Sequence, residues 1–178
     1  MSQTRPDDYR FCPRCAGDLI TRTLKLGEPS RLVCADCGFI FYLDPKVAAC
    51  AIFVYDGGIL LLKRAIEPEV GKWVFPGGFV DYGETVTDAA MRETLEEVNL
   101  KVRLTGILDA YSFAGQPIVI VVYAADVVGG ELKAGDECQE VRAFPPETIP
   151  WDELAFDSTR AALRDYIRRF FPRVRTPR

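Results

Sequence analysis

The chain has 178 residues, 48% of them apolar and 27% charged, with a formal net charge of −4. That is the composition of a globular protein large enough for a real core plus a small appendage, and its acidic balance argues against broad binding to nucleic acid or anionic membranes. There is no histidine, so every mechanism built on an imidazole base or ligand is excluded. Acid–base and metal chemistry must fall to carboxylates, thiols, lysines or tyrosines.

The amino-terminal stretch MSQTRPDDYRF is too polar for a signal peptide, and residues 1–9 read as loose. The longest apolar run, Ile118 to Ala125, is far short of the roughly 20 residues that span a bilayer. The expectation is a cytoplasmic enzyme or binding protein. Cys12 and Cys15 form CPRC, Cys34 and Cys37 form CADC, and 18 residues lie between the pairs. This is the spacing of a four-thiolate zinc site; two disulfides or an iron centre on the same ligands are the alternatives. A segment so poor in large apolar side chains needs a metal to fold. The aromatics of FIFYLDP are placed to cover it, and Asp44-Pro45 marks a boundary. The domains expected are 1–44 and 45–178.

In the second part, Val47 to Tyr55 reads as a strand, Asp56-Gly57 as a tight hairpin turn, and Ile59 to Arg64 as the returning strand. EPEVGK is a loop, and Trp73 to Phe75 is a short extended piece running into PGG. A helix starts at Thr85, which has capping-box spacing with Asp88, and ends near Val98, because Asn99 tolerates the left-handed conformation. Met91, Leu95 and Val98 are expected on its packed side. Strands follow at about Val102 to Phe113 and Ile118 to Asp126, then a glycine turn at Gly129-Gly130. A polar loop carries Asp136, Glu137 and Glu140, and a short strand covers Val141 to Phe144. A last helix, roughly Ser158 to Phe170, packs with Ala162, Leu163, Tyr166, Ile167 and Phe170. Cys50 reads as packing, and Cys138 has no assigned role.

The first helix poses a question. Glu93, Glu96 and Glu97 lie on one arc of it, and two such charges about 5 Å apart in a cleft repel by roughly 3 kcal/mol. A bound cation or open water would relieve them.

From Gly78 to Leu100 the order is a glycine, five residues, Glu84, seven residues, Arg92-Glu93, two residues, Glu96-Glu97, and two more ending in leucine. Over this whole 23-residue box the sequence resembles the Nudix hydrolases. It departs at Asn99, where glycine is usual, and at Thr94, where a larger aliphatic is usual. The resemblance implies an α+β fold, a Nudix α/β/α sandwich with a mixed sheet, preceded here by a small zinc-ribbon domain. It also implies hydrolysis of a nucleoside diphosphate linked to another group, with Mg²⁺ or Mn²⁺ as catalytic cofactor and Zn²⁺ as a structural one. By the family pattern Glu93, Glu96 and Glu97 hold the metals with the Gly77 carbonyl. Arg92 orients the glutamates and Glu84 braces Arg92, unless those two are an ordinary surface pair. Glu96 or Glu97 can act as general base, and Glu137 in the later loop has the placement used by several members, with Glu140 as fallback.

The ribbon followed by a Nudix domain is the layout of the bacterial NADH pyrophosphatases, but their downstream recognition run is missing from DAYSFAGQP. The order FCPRC, CADCGFIFYLDPKV, GKWVFPGGFVDYGE, RETLEE and IPWDELAF looks like zinc-ribbon Nudix enzymes related to plant FAD and ADP-ribose pyrophosphatases. The expected partner is thus a small dinucleotide, with no membrane and no nucleic acid, and a homodimer stays open. Tyr111, Phe113 and Trp73 could stack a flavin or adenine ring; aromatics of a half-buried strand are the plain alternative. NADH as substrate, and a non-catalytic zinc-ribbon protein that binds nucleic acid, are the rival readings.

Overall fold

A computed structural model of the chain describes residues 8–174. Most of the stretch read as a loose amino terminus, and the last four residues, lie outside them. The described residues divide into two compact units that meet at Pro45 and Lys46.

The first unit is a three-stranded antiparallel sheet, β1 (Leu19–Arg22), β2 (Arg31–Cys34) and β3 (Ile40–Phe41), in that order. Its buried side chains are few: Cys12, Leu32, Val33 and Cys34. Tyr9 stacks at a tilt on Phe41, 4.8 Å between ring centroids, and the Arg14 guanidinium lies over the Phe39 ring at 5.2 Å.

The second unit holds two four-stranded sheets. One is mixed, with β8 (Gly77–Phe79), β4 (Lys46–Ile52), β10 (Ile118–Gly130) and β9 (Leu100–Tyr111) side by side. Strand β4 runs parallel to β10 and antiparallel to β8. The other is antiparallel, with β11 (Cys138–Phe144), β6 (Gly58–Arg64) and β5 (Val54–Tyr55), and β7 (Trp73–Val74) also on β6. Period-two alternation splits the core into two sides. Cys50, Ile52, Ile59 and Leu61 face the helix α2 (Asp157–Phe170), while Ala51, Leu60 and Leu62 share a cluster with Val98 of the helix α1 (Val86–Val98). Sheets between two helices make the α/β/α sandwich. Ile59 to Leu62 are at most 1% exposed, and each such side chain contributes about 1.5–3 kcal/mol. Among the described residues no helix is long and apolar enough to cross a membrane.

Local chemistry explains the boundaries. Asp56 and Gly57 both take positive φ, 45° and 79°, the geometry of a two-residue hairpin. Thr85 caps α1 by accepting from the Asp88 N–H at 3.1 Å, and Asn99 closes it at φ 55°.

Several expectations are corrected. The strand expected over 47–55 is broken at Phe53, where the chain leaves the mixed sheet for the antiparallel one. Gly129-Gly130 is not a turn; both residues extend β10, opposite Lys101 and Leu100. On α1 the packed side is turned, with Thr94 fully buried and Leu95 41% exposed. Ala89 and Ala90 bring the helix down on the sheet at Ala49, and at that distance only a small residue fits next to them; the Thr94 hydroxyl is satisfied by the Ala90 carbonyl at 2.7 Å. Phe170 leaves the packing face of α2 and is exposed, because its ring sits on Tyr166 from outside, 4.6 Å away.

Candidate active site

Helix α1 and strand β8 build the site between them. Because β8 is glycine-rich, the helix can lay carboxylates directly on it: a Cβ placed on Gly78 would sit 2.5 Å from the Glu93 carboxyl. Gly77, at φ 154°, would drive a Cβ into Cys50.

Arg92 is the hub. Its Nε and one Nη grip both oxygens of Glu84, at 2.8 and 3.0 Å. The other Nη donates to Glu93 at 2.8 Å and to Glu96 at 2.9 Å, and the Phe79 carbonyl accepts at 3.1 Å. All five donors of the guanidinium are engaged. The side chains of Glu84 and Glu93 are only 16% exposed, whereas Glu96 is 57% exposed. The fork holds the Glu84 carboxyl below the usual range, while burial wins at Glu93 and pushes it up in spite of Arg92.

Glu97 is different. It is buried, 9% exposed, and its carboxyl accepts the Gly77 N–H at 2.8 Å. Burial, against that bond and with the charges of Glu93 and Glu137 adding to it, pushes its pKa up to about 8. The crowding that the sequence raised is therefore relieved by a shared guanidinium on two glutamates and by a proton on the third. A cation is not the only thing that lets them coexist.

The loop after β10 comes back over the end of α1. Gly135 N–H donates to the Glu97 carbonyl at 2.8 Å and Lys133 N–H to that of Val98 at 3.2 Å. Glu137 lies close enough that its charge raises both Glu93 and Glu97, and its carbonyl accepts the Ala65 N–H at 2.8 Å. Glu140 points to Arg142, with which it forms an ion pair. A β-bulge between Cys138 and Glu140 separates these two fates, as bulges beside sites often do.

Three contributors escaped the sequence reading. Arg64 sits opposite Cys138 across β6 and β11, its charge opposes the rise at Glu97, and its Nε donates to the Pro68 carbonyl at 2.8 Å. Cys138 donates its thiol to the Glu97 carbonyl at 3.3 Å. Gly135 would place a Cβ 2.3 Å from the Glu96 carbonyl oxygen. None has a local signal, since each depends on the cross-strand register and on how the loop docks.

The aromatics are mostly covered. Trp73 is 3% exposed, edge-on to Phe144 at 4.9 Å. Tyr111 is 8% exposed and donates its hydroxyl to Asp165 at 3.0 Å. Only Phe113 stays half-buried. Neither Trp73 nor Tyr111 presents a ring face for stacking; both are packing residues in this structure.

The four ribbon cysteines are all free thiols, which removes the disulfide alternative, and their sulfurs lie within 4.8 Å of one another. Cys12 and Cys37 are 3.8 Å apart and Cys15 and Cys34 3.4 Å, close to the ~3.8 Å edge of a tetrahedron with ~2.3 Å zinc–sulfur bonds. The two knuckles repeat one pattern. In each, the first cysteine's N–H reaches the carbonyl five residues on and its own carbonyl accepts from four residues on. N–H groups of Arg14 and Cys37 point at the sulfurs of Cys12 and Cys34, at 3.4 and 3.5 Å. The Cys37 N–H pulls the Cys34 thiol down to about 7, as a thiolate ligand needs.

The NUDIX domain family model matches residues 44–170, and the model described as Nudix N-terminal, a zinc ribbon, matches residues 10–43. An ADP-ribose pyrophosphatase of Methanocaldococcus jannaschii is 40% identical over 131 residues, 71% of this chain and 76% of that protein. The NAD-capped RNA hydrolase NudC of Chromobacterium violaceum is 29% identical over 80% of this chain; the chain spans about half, 52%, of its length. Among solved structures, a NUDIX hydrolase from Nitrosomonas europaea superposes with a TM-score of 0.86 at 34% identity, covering 92% of this chain and 93% of that one.

Proposed function

Since the chain belongs to the Nudix hydrolase family and is a Nudix pyrophosphohydrolase with an N-terminal zinc-ribbon segment, we propose that it splits the pyrophosphate of an ADP-containing diphosphate, ADP-ribose or FAD, and releases AMP. The observation that carries the reading is the Arg92 hub, which holds Glu84, Glu93 and Glu96 beside the buried Glu97. The substrate class is supported by the 40% identical relative named an ADP-ribose pyrophosphatase. A second reading, hydrolysis of NADH or NAD-capped RNA, is favoured by the NudC relatives, but they match at 24–30% identity and over about half of their length.

The residues divide the work. Glu93, Glu96 and Glu97, with the Gly77 carbonyl, are all oxygen donors, the set that suits a hard divalent ion such as Mg²⁺ or Mn²⁺. When bound, such an ion neutralises the diphosphate and orients it for attack. Glu97 would have to be unprotonated to hold such an ion, and the Gly77 N–H fixes which of its oxygens stays turned to the backbone. Arg92, gripped by both oxygens of Glu84, holds Glu93 and Glu96 on one face of the helix, where they would be offered to the ion. Glu137 takes a proton from the attacking water; the water oxygen bonds to phosphorus, and the bridging oxygen leaves with the departing phosphate. Zn²⁺ on Cys12, Cys15, Cys34 and Cys37 is a structural ion. We assign residues 1–44 to the ribbon and 45–178 to the hydrolase domain.

The test is a panel of ADP-ribose, FAD, NADH and NAD-capped RNA with Mg²⁺, run in ¹⁸O-labelled water. AMP release from ADP-ribose or FAD is expected to be fastest. Faster release from NADH or capped RNA would reverse the order of the two readings.

A further inference from the structure

Position 99 is one of the two places where the box departs from its family, and the mechanism above gives its side chain no task. Glycine would close α1 at φ 55° as well as asparagine does. The asparagine adds one bond: its Nδ2 donates to the Glu131 carbonyl at 2.7 Å. Glu131 begins the segment that ends in Glu137. That segment lies hard against the helix end, since a Cβ on Gly135 would come within 2.3 Å of the Glu96 carbonyl oxygen. Its other ties, from Lys133, Gly135 and Ala65, are main-chain bonds. Asn99 is thus a side-chain tie between the cap of the glutamate-bearing helix and the start of the loop that carries Glu137.

We propose that Asn99 is a positioning residue, whose amide straps the Glu131–Glu137 segment to α1 so that Glu137 and the Glu93–Glu97 carboxylates keep a fixed separation. The inference rests on the reading of Glu137 as general base. The strap holds the start of the loop, while the Cys138 thiol, donating to the Glu97 carbonyl at 3.3 Å, ties its far end; the helix terminus is itself anchored by the Asn99 N–H to the Leu95 carbonyl at 2.9 Å. Asparagine serves as cap and tie at once, where glycine serves only as cap.

The test uses Asn99→Gly and Asn99→Asp in the full chain, with and without Glu137→Gln, on the fastest substrate of the panel above. Amide exchange at Lys133 and Gly135 should accelerate about fivefold in Asn99→Gly, the scale of one lost hydrogen bond. Turnover should fall about three- to tenfold, on the same scale, with KM and melting temperature nearly unchanged. Asn99→Asp, which keeps the shape but cannot donate, should do no better. In the Glu137→Gln background, Asn99→Gly should cost nothing further. Unchanged exchange and turnover in Asn99→Gly, or full turnover in Asn99→Asp, would overturn the strap. An equal loss with and without Glu137 would show that it acts elsewhere. Full turnover in Glu137→Gln alone would refute the base assignment instead, while amide exchange would still decide the strap.

Discussion

Glu97→Gln separates two effects that the structure joins in one side chain. In the native protein without added Mg²⁺, the Glu97 carboxyl has moved from its ordinary 4.5 to about 8. Between those values the folded chain holds a proton that the unfolded chain has released, so this group's contribution to stability is fully present below about pH 4.5 and is lost as pH rises through about 8. Each unit of the shift corresponds to about 1.4 kcal/mol, so the full loss is at most about 5 kcal/mol. Glutamine keeps an oxygen for the Gly77 N–H but cannot titrate, and its stability curve should lack this fall. For a chain of 178 residues, where a kcal/mol moves the melting temperature by about 2–4 °C, the wild type should drop by about 5–15 °C relative to the variant from pH 5 to pH 8. The assay is thermal melting of zinc-loaded protein over that range. Adding Mg²⁺ at pH 8 should restore the wild type and leave the variant where it was, and the variant's turnover should be lower by orders of magnitude. Parallel pH curves for the two proteins would refute a buried, protonated Glu97. Equal stabilisation of both by Mg²⁺ would refute its role as a ligand.

Other outcomes follow from the same geometry. Gly78→Ala pushes the flexible Glu93 carboxyl rather than the backbone, so folding stability should change by less than about 1 kcal/mol while turnover falls more than about tenfold; retained turnover would remove Glu93 from the machinery. Arg92→Lys replaces five donors in a fixed fork by three on one atom, and should cut kcat by about a hundredfold or more, with wild-type kcat telling against the hub. Gly135→Ala must shift the loop, because the clash is with a backbone oxygen, and should lower both melting temperature and kcat. Native mass spectrometry should find one zinc ion per chain, and Cys12→Ser should abolish it; zinc retained by that variant would disprove the four-thiolate assignment.

The site was legible where sequence spacing and helical geometry coincide. The Thr85 cap, the Asn99 stop and the arc of Glu93, Glu96 and Glu97 follow from residue type and a period of 3.6. The rotation of the helix did not, because amphipathicity pointed to Leu95 while the two alanines had already fixed which side touches the sheet. Gly129-Gly130 looked like a turn because glycine usually interrupts strands, yet here the lack of a side chain is what lets β10 pass the helix end. Trp73 and Tyr111 looked like stacking groups, since aromatic chemistry alone does not say which face the pleat will turn inward. How near Glu137 comes to Glu97 depends on a bulge in β11 and on bonds between segments far apart in sequence, and no local pattern encodes those.

The donor that steadies Glu97 is a main-chain N–H, that of Gly77. No exchange of side chain at position 77 can delete it short of proline, so loss of function with any other residue arises from crowding against Cys50 and from backbone strain at φ 154°. A mutational scan would therefore register position 77 as closed to every side chain, alanine included, whatever its polarity. Shaving Cys50 to alanine or glycine should not reopen the position, because the Cys50 Cα would still lie 2.6 Å from the new Cβ; at position 78 the obstacle is the movable Glu93 carboxyl, so an added methyl there is met by a side chain that can swing aside.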